Sequence, residues 1–424
     1  MEAVFSRDRL RIRLSRLRDR LWIKPLVVCL FSVAGVFAAA LADGTGLGDI
    51  VPEIDSDSIR TLLGVMASSM LVIATLSVSS MVSAYASASA TATPRSFRLV
   101  VSDDVSQNAL STFLGAFIYS VVGLTAAMNG YFGRAGLFVL FVLTVTVFAI
   151  VILTFLRWVD SIARLGRMGS TIDRVEQAAA AALKRRRQAP TLCAAPVRPD
   201  ASGRAVFAGQ VGYVQSLDLP ALQAWAQDAQ VRVVVTALPG TFATPGRPLA
   251  QVIGGPEDLD FSCVVKAFDV GGDRLFDDDP RFGLIVLGEI AGRALSPAVN
   301  DPGTAIDVIG TLVRLFTLWS EPTPVADQAE PKYDRVEVPE ISARDLFDDA
   351  FTVIARDGAG SVEIGVRLQK ALACLAQMGG PEMRDAAEHH SRLALKRAAK
   401  ALAMEEDLAE LQAAALALRT PDPA

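Results

Sequence analysis

The residues best placed to do chemistry lie between positions 276 and 316. Two apolar helical runs, about 280–294 and 302–316, are joined there by the polar turn LSPAVNDP. Each run opens with an acid followed by proline, Asp279-Pro280 and Asp301-Pro302. Proline suits the first helical position, and an acid before it accepts orphan backbone N–H groups and complements the helix dipole. The set Arg274, Asp279, Arg281, Ser296, Pro297, Asn300, Asp301, Pro302 and Thr304 therefore concentrates charge, hydroxyl, amide and restricted backbone in one turn region. Two readings fit it. The carboxylates cap helices, or Asp279, Asn300 and Asp301 form a polar site for a ligand. Asp277, Asp278 and Asp279 offer oxygens to a divalent cation, but the spacing of a calcium loop is missing, and a capped loop explains them better.

Other chemistry is sparse. No nucleophile motif, phosphate loop or zinc pattern is present, and no metal or cofactor is expected. His389 and His390 are the two histidines. Neighbours on a helix diverge by about 100°, so the pair reads as surface and not as a chelate. Cys29, Cys193, Cys263 and Cys374 lie far apart and read as reduced buried thiols, the last three cytoplasmic.

The elements that must position these residues fall into two halves. With 51% hydrophobic residues and a mean hydropathy of +0.37, the 424-residue chain carries a membrane signature in its first 160 residues. The formal charge of −5 hides a basic N-terminus and an acidic remainder. That acidity, without any nucleic-acid motif, argues against a nucleic-acid partner. Residues 1–24 hold eight basic side chains against three acids, with Leu10, Leu14, Leu17 and Leu21 on one helical face. This segment reads as amphipathic and not as a signal peptide, because further spans follow it.

Four spans are predicted at about 25–42, 61–86, 108–128 and 135–156. The segment 43–60 holds Asp43, Asp49, Glu53, Asp55 and Asp57 against Arg60, whereas 1–24, 95–98 and 157–187 are rich in Arg and Lys. The positive-inside rule then places both termini in the cytoplasm. In the second span Thr75, Ser79, Ser83, Ser87 and Thr91 recur every four residues, a spacing that keeps them on one slowly drifting stripe. Close helix packing by small residues and a hydroxyl-lined water or ion pathway both account for it. Asn108, Ser111, Thr112, Tyr119 and Ser120 of the third span could face the same stripe. No ionisable side chain sits mid-span, which disfavours a proton-driven carrier. Arg95, in the loop TPRSFRLVVSDD, reads as a membrane-surface anchor or as a contact to the acidic turn of the soluble half.

Residues 158–202 form a basic helical connector ending in Lys184-Arg185-Arg186-Arg187, followed by a loop; the basic cluster reads as a solvated helix end. An α+β domain is expected over 203–320, with strands near 204–208, 210–216, 231–237, 248–253 and 261–268 and a short helix at 219–228. A Pro- and charge-rich linker, 321–340, precedes a helical region, 341–424, with helices near 342–356, 359–378 and 382–417. The predicted fold is thus a four-helix membrane domain (25–157), a cytoplasmic α+β domain and C-terminal helices.

Several stretches carry a resemblance. ALSPAVNDPGTA (294–305), preceded by Arg274, Asp279 and Phe282-Gly283, together with GYVQSLD (212–218), PGTFATPGRPL (239–249) and Pro94-Arg95, resembles the bacterial membrane-protein family catalogued as domain of unknown function 2254. Leu275 and Asp278 depart from a pattern that favours a hydroxyl and a glutamine there. The resemblance covers nearly the whole chain. It implies a bacterial inner-membrane protein of four spans with a cytoplasmic domain and supplies no catalytic residues. Three functions remain open: an oligomeric channel-like protein gated by its cytoplasmic domain, a membrane-anchored regulatory or scaffold module, and a metal-assisted enzyme. The expected partners are the lipid bilayer, further copies of the chain and an unknown ligand.

Overall fold

The computed structural model of the chain describes residues 22–44, 50–91, 93–96, 99, 104–164, 168–199, 202–322 and 331–416. It divides into two compact units, Met1–Ser170 and Thr171–Ala424. The basic amphipathic N-terminal segment lies outside the described residues up to position 21.

The first unit consists of α1 (Ile23–Leu41), α2 (Ser56–Thr91), α3 (Asp104–Met128) and α4 (Arg134–Arg164). Each is long and apolar enough to cross a membrane, over 23–44, 56–86, 105–128 and 134–162, so the four expected spans are found. Helix α3 packs against the other three. Leu63, Tyr119, Phe132 and Leu140 form one apolar cluster, and Met70, Phe113, Val151 and Trp158 belong to another. Polar side chains in this interior bond within it. Tyr119 Oη lies 2.9 Å from Thr144 Oγ1 and donates to Leu140 O. Ser111 and Ser120 donate to the carbonyls four residues back, which removes the cost of burying a hydroxyl in apolar surroundings. At one end of the bundle the Asp43 carboxylate accepts the amides of Gly133 and Gly136, each at 2.7 Å, and so caps α4. Nearby, Arg60 donates to Ala127 O in the last turn of α3.

The second unit begins within α5 (Met168–Gln188). The end of this helix is only in part the expected solvated cluster: Lys184 and Arg185 are exposed, but Arg186 is buried and Arg187 half-buried. Arg185 donates to Asp277 O, Arg186 to Pro339 O and Arg187 to Leu318 O, with Glu321 3.0 Å from Arg187. Each guanidinium answers a carbonyl on a different segment, and Leu318 O is one of the orphan carbonyls in a last helical turn. Burial lowers Arg186 to about 10, against the charge of Glu340.

Two small sheets follow. Strands β1 (Ala194–Ala195), β2 (Arg204–Phe207), β4 (Arg232–Val235), β6 (Pro248–Ile253) and β8 (Tyr333–Glu337) form a mixed sheet in the order β1-β8-β4-β6-β2. Strands β3 (Gly212–Leu217), β5 (Phe242–Ala243) and β7 (Phe268–Gly271) form an antiparallel sheet, β5-β3-β7. Helix α6 (Leu219–Asp228), capped by Asp218, covers the larger sheet. Alternating Val233, Val235, Val252 and Val336 bury one face of that sheet.

Two readings change here. The expected strand at 261–268 is the short helix α7 (Ser262–Lys266) followed by β7. Asp260 accepts both the amide and the hydroxyl of Ser262, and this local turn overrides the β-branched Val264-Val265. The stretch read as a linker holds β8, paired in parallel with both β1 and β4. Its charge hid it, because Glu337 is fully buried but neutralised by Arg232 at 2.5 Å and Arg198 at 3.5 Å.

Six helices complete the described part of the unit: α8 (Pro280–Ala294), α9 (Pro302–Ser320), α10 (Ala343–Asp357), α11 (Val362–Met378), α12 (Pro381–Ala401) and α13 (Glu405–Leu416), which folds back on α11. The expected single helix at 382–417 is therefore two. His390 is also not a surface residue. It is buried between Phe347 and Phe351, with Nε2 2.9 Å from Asp348 Oδ1. Burial pushes it down to about 4 despite Asp348. The spacing of Met383, Ala387, His390 and Ala394 marks that buried face in the sequence. For the membrane unit, Asp43→Ala should cost about 0.5–2 kcal/mol, the value of a helix cap. Asp43→Asn, whose single amide oxygen replaces only one of the two accepting oxygens, should retain only part of it. Equal losses in unfolding titrations of the detergent-solubilised variants would contradict the capping role.

Candidate functional site at the two ends of helix α8

Helix α8 begins where its sequence signals place it. Asp279 is the N-cap, its side chain accepting the Arg281 amide at 3.1 Å, and Pro280 fills the first helical position. The carboxylate is 2% exposed. Arg274 meets one of its oxygens twice, through Nε at 2.7 Å and Nη2 at 2.6 Å. The same guanidinium lies over the Phe282 ring, 5.3 Å from its centroid, and Phe276 packs on that ring from 4.5 Å. Burial pushes the Asp279 carboxyl up, with Arg274 opposing.

A loop closes over this pair. Gly240 adopts φ +89°, a conformation suited to glycine, and a Cβ there would overlap the Asp279 carboxylate. The Gly240 amide donates to Val214 O, and the Val214 amide to Thr241 O, so the loop is sewn to β3. Gln215 of β3 donates to Asp273 O, beside Arg274. The stretches GYVQSLD and PGTFATPG thus converge on Arg274 and Asp279.

Two residues on, Arg281 reaches α10. Its Nε lies 2.5 Å from Asp349 Oδ2 and its Nη1 3.1 Å from Asp345 Oδ2. Burial alone would lower Arg281, but the hydrogen bond and charge of Asp349 outweigh it and leave the group above its usual value. Burial likewise raises Asp349 against the pull of Arg281. Asp345 and Asp349 had no place in the sequence reading. Their signal was two acids four residues apart at the start of a strongly amphipathic helix.

The LSPAVNDP turn sits at the other end. Ser296 Oγ donates to Arg293 O, the Asn300 amide to Ser296 O, and the Asp301 amide to Ala294 O. Asn300 takes φ +49° to close the turn. Asp301 caps α9, accepting the Thr304 amide at 3.1 Å and its hydroxyl at 2.6 Å, and these bonds lower its pKa. Pro297, Asn300, Asp301 and Pro302 are exposed. Fifteen residues of helix, about 22 Å, separate this turn from Asp279. The structure therefore brings Arg274, Asp279 and Arg281 together and leaves Ser296, Asn300, Asp301 and Thr304 as a separate capped turn. Among the described residues no group of three or more His, Cys, Asp or Glu could hold a metal ion.

In the membrane unit, Thr75, Ser79 and Ser83 are exposed on the outer face of α2, while Ser77 is buried. Leu76 and Val78 are exposed as well. Ser111, Tyr119 and Ser120 are buried and do not share the stripe's exposed face. The side chains of Ser87 and Thr91 lie outside the described residues. Arg95 is exposed in a turn closed by Thr93 and Ser96, whose hydroxyls lie 3.2 Å apart.

A family described as predicted membrane protein, domain of unknown function 2254, matches residues 18–374, which include all four spans and both ends of α8. The chain belongs to that family. Uncharacterised proteins of Mycobacterium tuberculosis (strains CDC 1551 and H37Rv) and Mycobacterium bovis are each 32% identical to it over 121 residues, 27% of this chain and 23% of theirs. The match thus spans under a quarter of the length of these curated relatives. No solved structure matches. Family and fold agree on a membrane protein with four apolar helices, a mixed α/β region and C-terminal helices.

The two ends of α8 should respond differently to mutation. Asp279→Ala strands a largely buried Arg274 and removes a cap, with an expected cost of about 3–5 kcal/mol. Asp301→Ala should cost about 0.5–2 kcal/mol, recovered by Asp301→Ser because serine also caps. Denaturant titration of the purified variants checks this ordering. A costly Asp301→Ala that serine does not rescue would assign that carboxylate a role beyond capping.

Proposed function

We propose that the protein is a channel-like homo-oligomer of the bacterial inner membrane, with both termini in the cytoplasm. The hydroxyls of the second span wall a path between copies, and the cytoplasmic α+β unit gates it. The orientation rests on the basic flanks of the spans and the acidic 43–60 loop. The observation that carries the reading is the outward placement of Thr75, Ser79 and Ser83 on α2. Ser111, Tyr119 and Ser120 lie buried and bonded inside one copy, so a polar path would run between copies and not through a single bundle. Thr75 already donates to Leu71 O, so its oxygen still offers lone pairs to water or an ion.

A regulatory module is the second reading. It is favoured by a cleft of about 420 Å³ at the starts of α10 and α12, lined by Glu340, Ile341, Ser342, Arg344, Glu382 and Asp385. The enzyme reading loses its basis, because Asp279 and the Asn300-Asp301 pair lie at opposite ends of α8.

Cysteines replacing Thr75, Ser79 and Ser83 should react with small charged thiol reagents in reconstituted oligomers, in a background without the native cysteines. A cysteine at buried Ser77 should not. The oligomers should conduct, and Ser79→Leu should reduce conductance with assembly intact. Unreactive stripe positions in a non-conducting oligomer would overturn the channel reading and leave the regulatory one.

A further inference from the structure

We propose that α13 exchanges between two copies of the chain, each docking its Leu411 into the notch at Gly365 of the other. The hinge carries the argument. From Ala398 to Glu410 the sequence reads AAKALAMEEDLAE, strong helix formers apart from Asp407 and without glycine or proline. Local preference therefore favours one continuous helix through 402–404. The chain breaks there all the same: Leu402 takes ψ 133°, and Ala403 and Met404 are exposed.

A single knob holds the break. Leu411 is 1% exposed, and no other described side chain of α13 is fully buried. It enters a gap in α11 that exists because residue 365 has no Cβ; a methyl group there would overlap Leu411. Gly358, Ile364, Leu368 and Ala398 complete the cup, which keeps a residual gap of only about 10 Å³. The fold-back thus sets the helical preference of three hinge residues against the burial of one leucine. Straightening the hinge satisfies the first and exposes the second.

A second copy resolves the conflict. In the straight form α12 and α13 run as one helix of about 54 Å, and its Leu411 fits the notch of another copy because that contact already exists within one chain. Exchange is reciprocal and closes as a two-fold dimer. Short hinges that oppose local preference are the usual setting for such swaps. The swap does not rest on the channel reading, since a pathway along α2 can fail with the exchange intact.

The test uses the full chain co-expressed with two different affinity tags, with photo-activatable benzoylphenylalanine replacing exposed Gln412. Wild-type protein should give adducts between tags that map to the stretch around Gly365. Glu405→Pro should cut them at least tenfold and keep the intrachain adduct to the same stretch. Proline is tolerated at the first residue of α13 but collides with the carbonyl of Ala401 in a continuous helix. Deleting Ala403 and Met404, which removes the slack for folding back, should raise the share of adducts between copies. The proposal is overturned if the shortened hinge gives intrachain adducts only, if Glu405→Pro leaves the adducts between tags undiminished, or if those adducts map away from α11.

Discussion

The second unit is organised around the buried ion pair of Arg274 and Asp279. Asp279 and Arg274 sit out of water at the start of α8, where an unpaired charge would cost several kcal/mol, so neither tolerates the other's absence. The pair also dictates its surroundings. Gly240 has no side chain because the carboxylate occupies that space, and β3 holds the loop in place. Arg281 extends the chain of charges to Asp345 and Asp349, so α10 is registered against α8 by charge as well as by packing. Such a pair contributes less to net stability than to the choice of one arrangement among several of similar burial.

The membrane unit follows a different logic. Apolar packing between spans gains little over packing against lipid, so internal hydrogen bonds and helix-end contacts help to choose the arrangement. Tyr119 with Thr144, and Asp43 on the first turn of α4, do this work. Thr75, Ser79 and Ser83 on the outer face of α2 take no part in these contacts between helices.

Elements set by local rules were legible in the sequence. The four spans follow from length and hydropathy, and α6, α8 and α9 begin where Asp218, Asp279 and Asp301 precede proline or a helical run. What depends on distant partners was not. Strand β8 looked like a charged linker because its Glu337 is neutralised by Arg232, more than a hundred residues away in the chain. His390 looked exposed because its polarity is answered by Asp348 on another helix. Arg186 and Arg187 at the end of α5 looked solvated because the carbonyls they meet belong to two other segments. At the site, the caps could be read from Asp-Pro spacing, but not that α8 holds Asp279 and Asp301 apart, nor that Gly240 closes over the first of them.

The most direct test is amide hydrogen exchange on the purified chain carrying Arg274→Met. If the buried pair organises the unit, protection should fall together in residues 212–217, 239–246, 280–287 and 343–350. The turn at 296–304, which is closed by its own bonds, should keep its protection. Loss confined to residues 272–282 would contradict the account, because it would make the pair a local cap that the loop and α10 do not depend on.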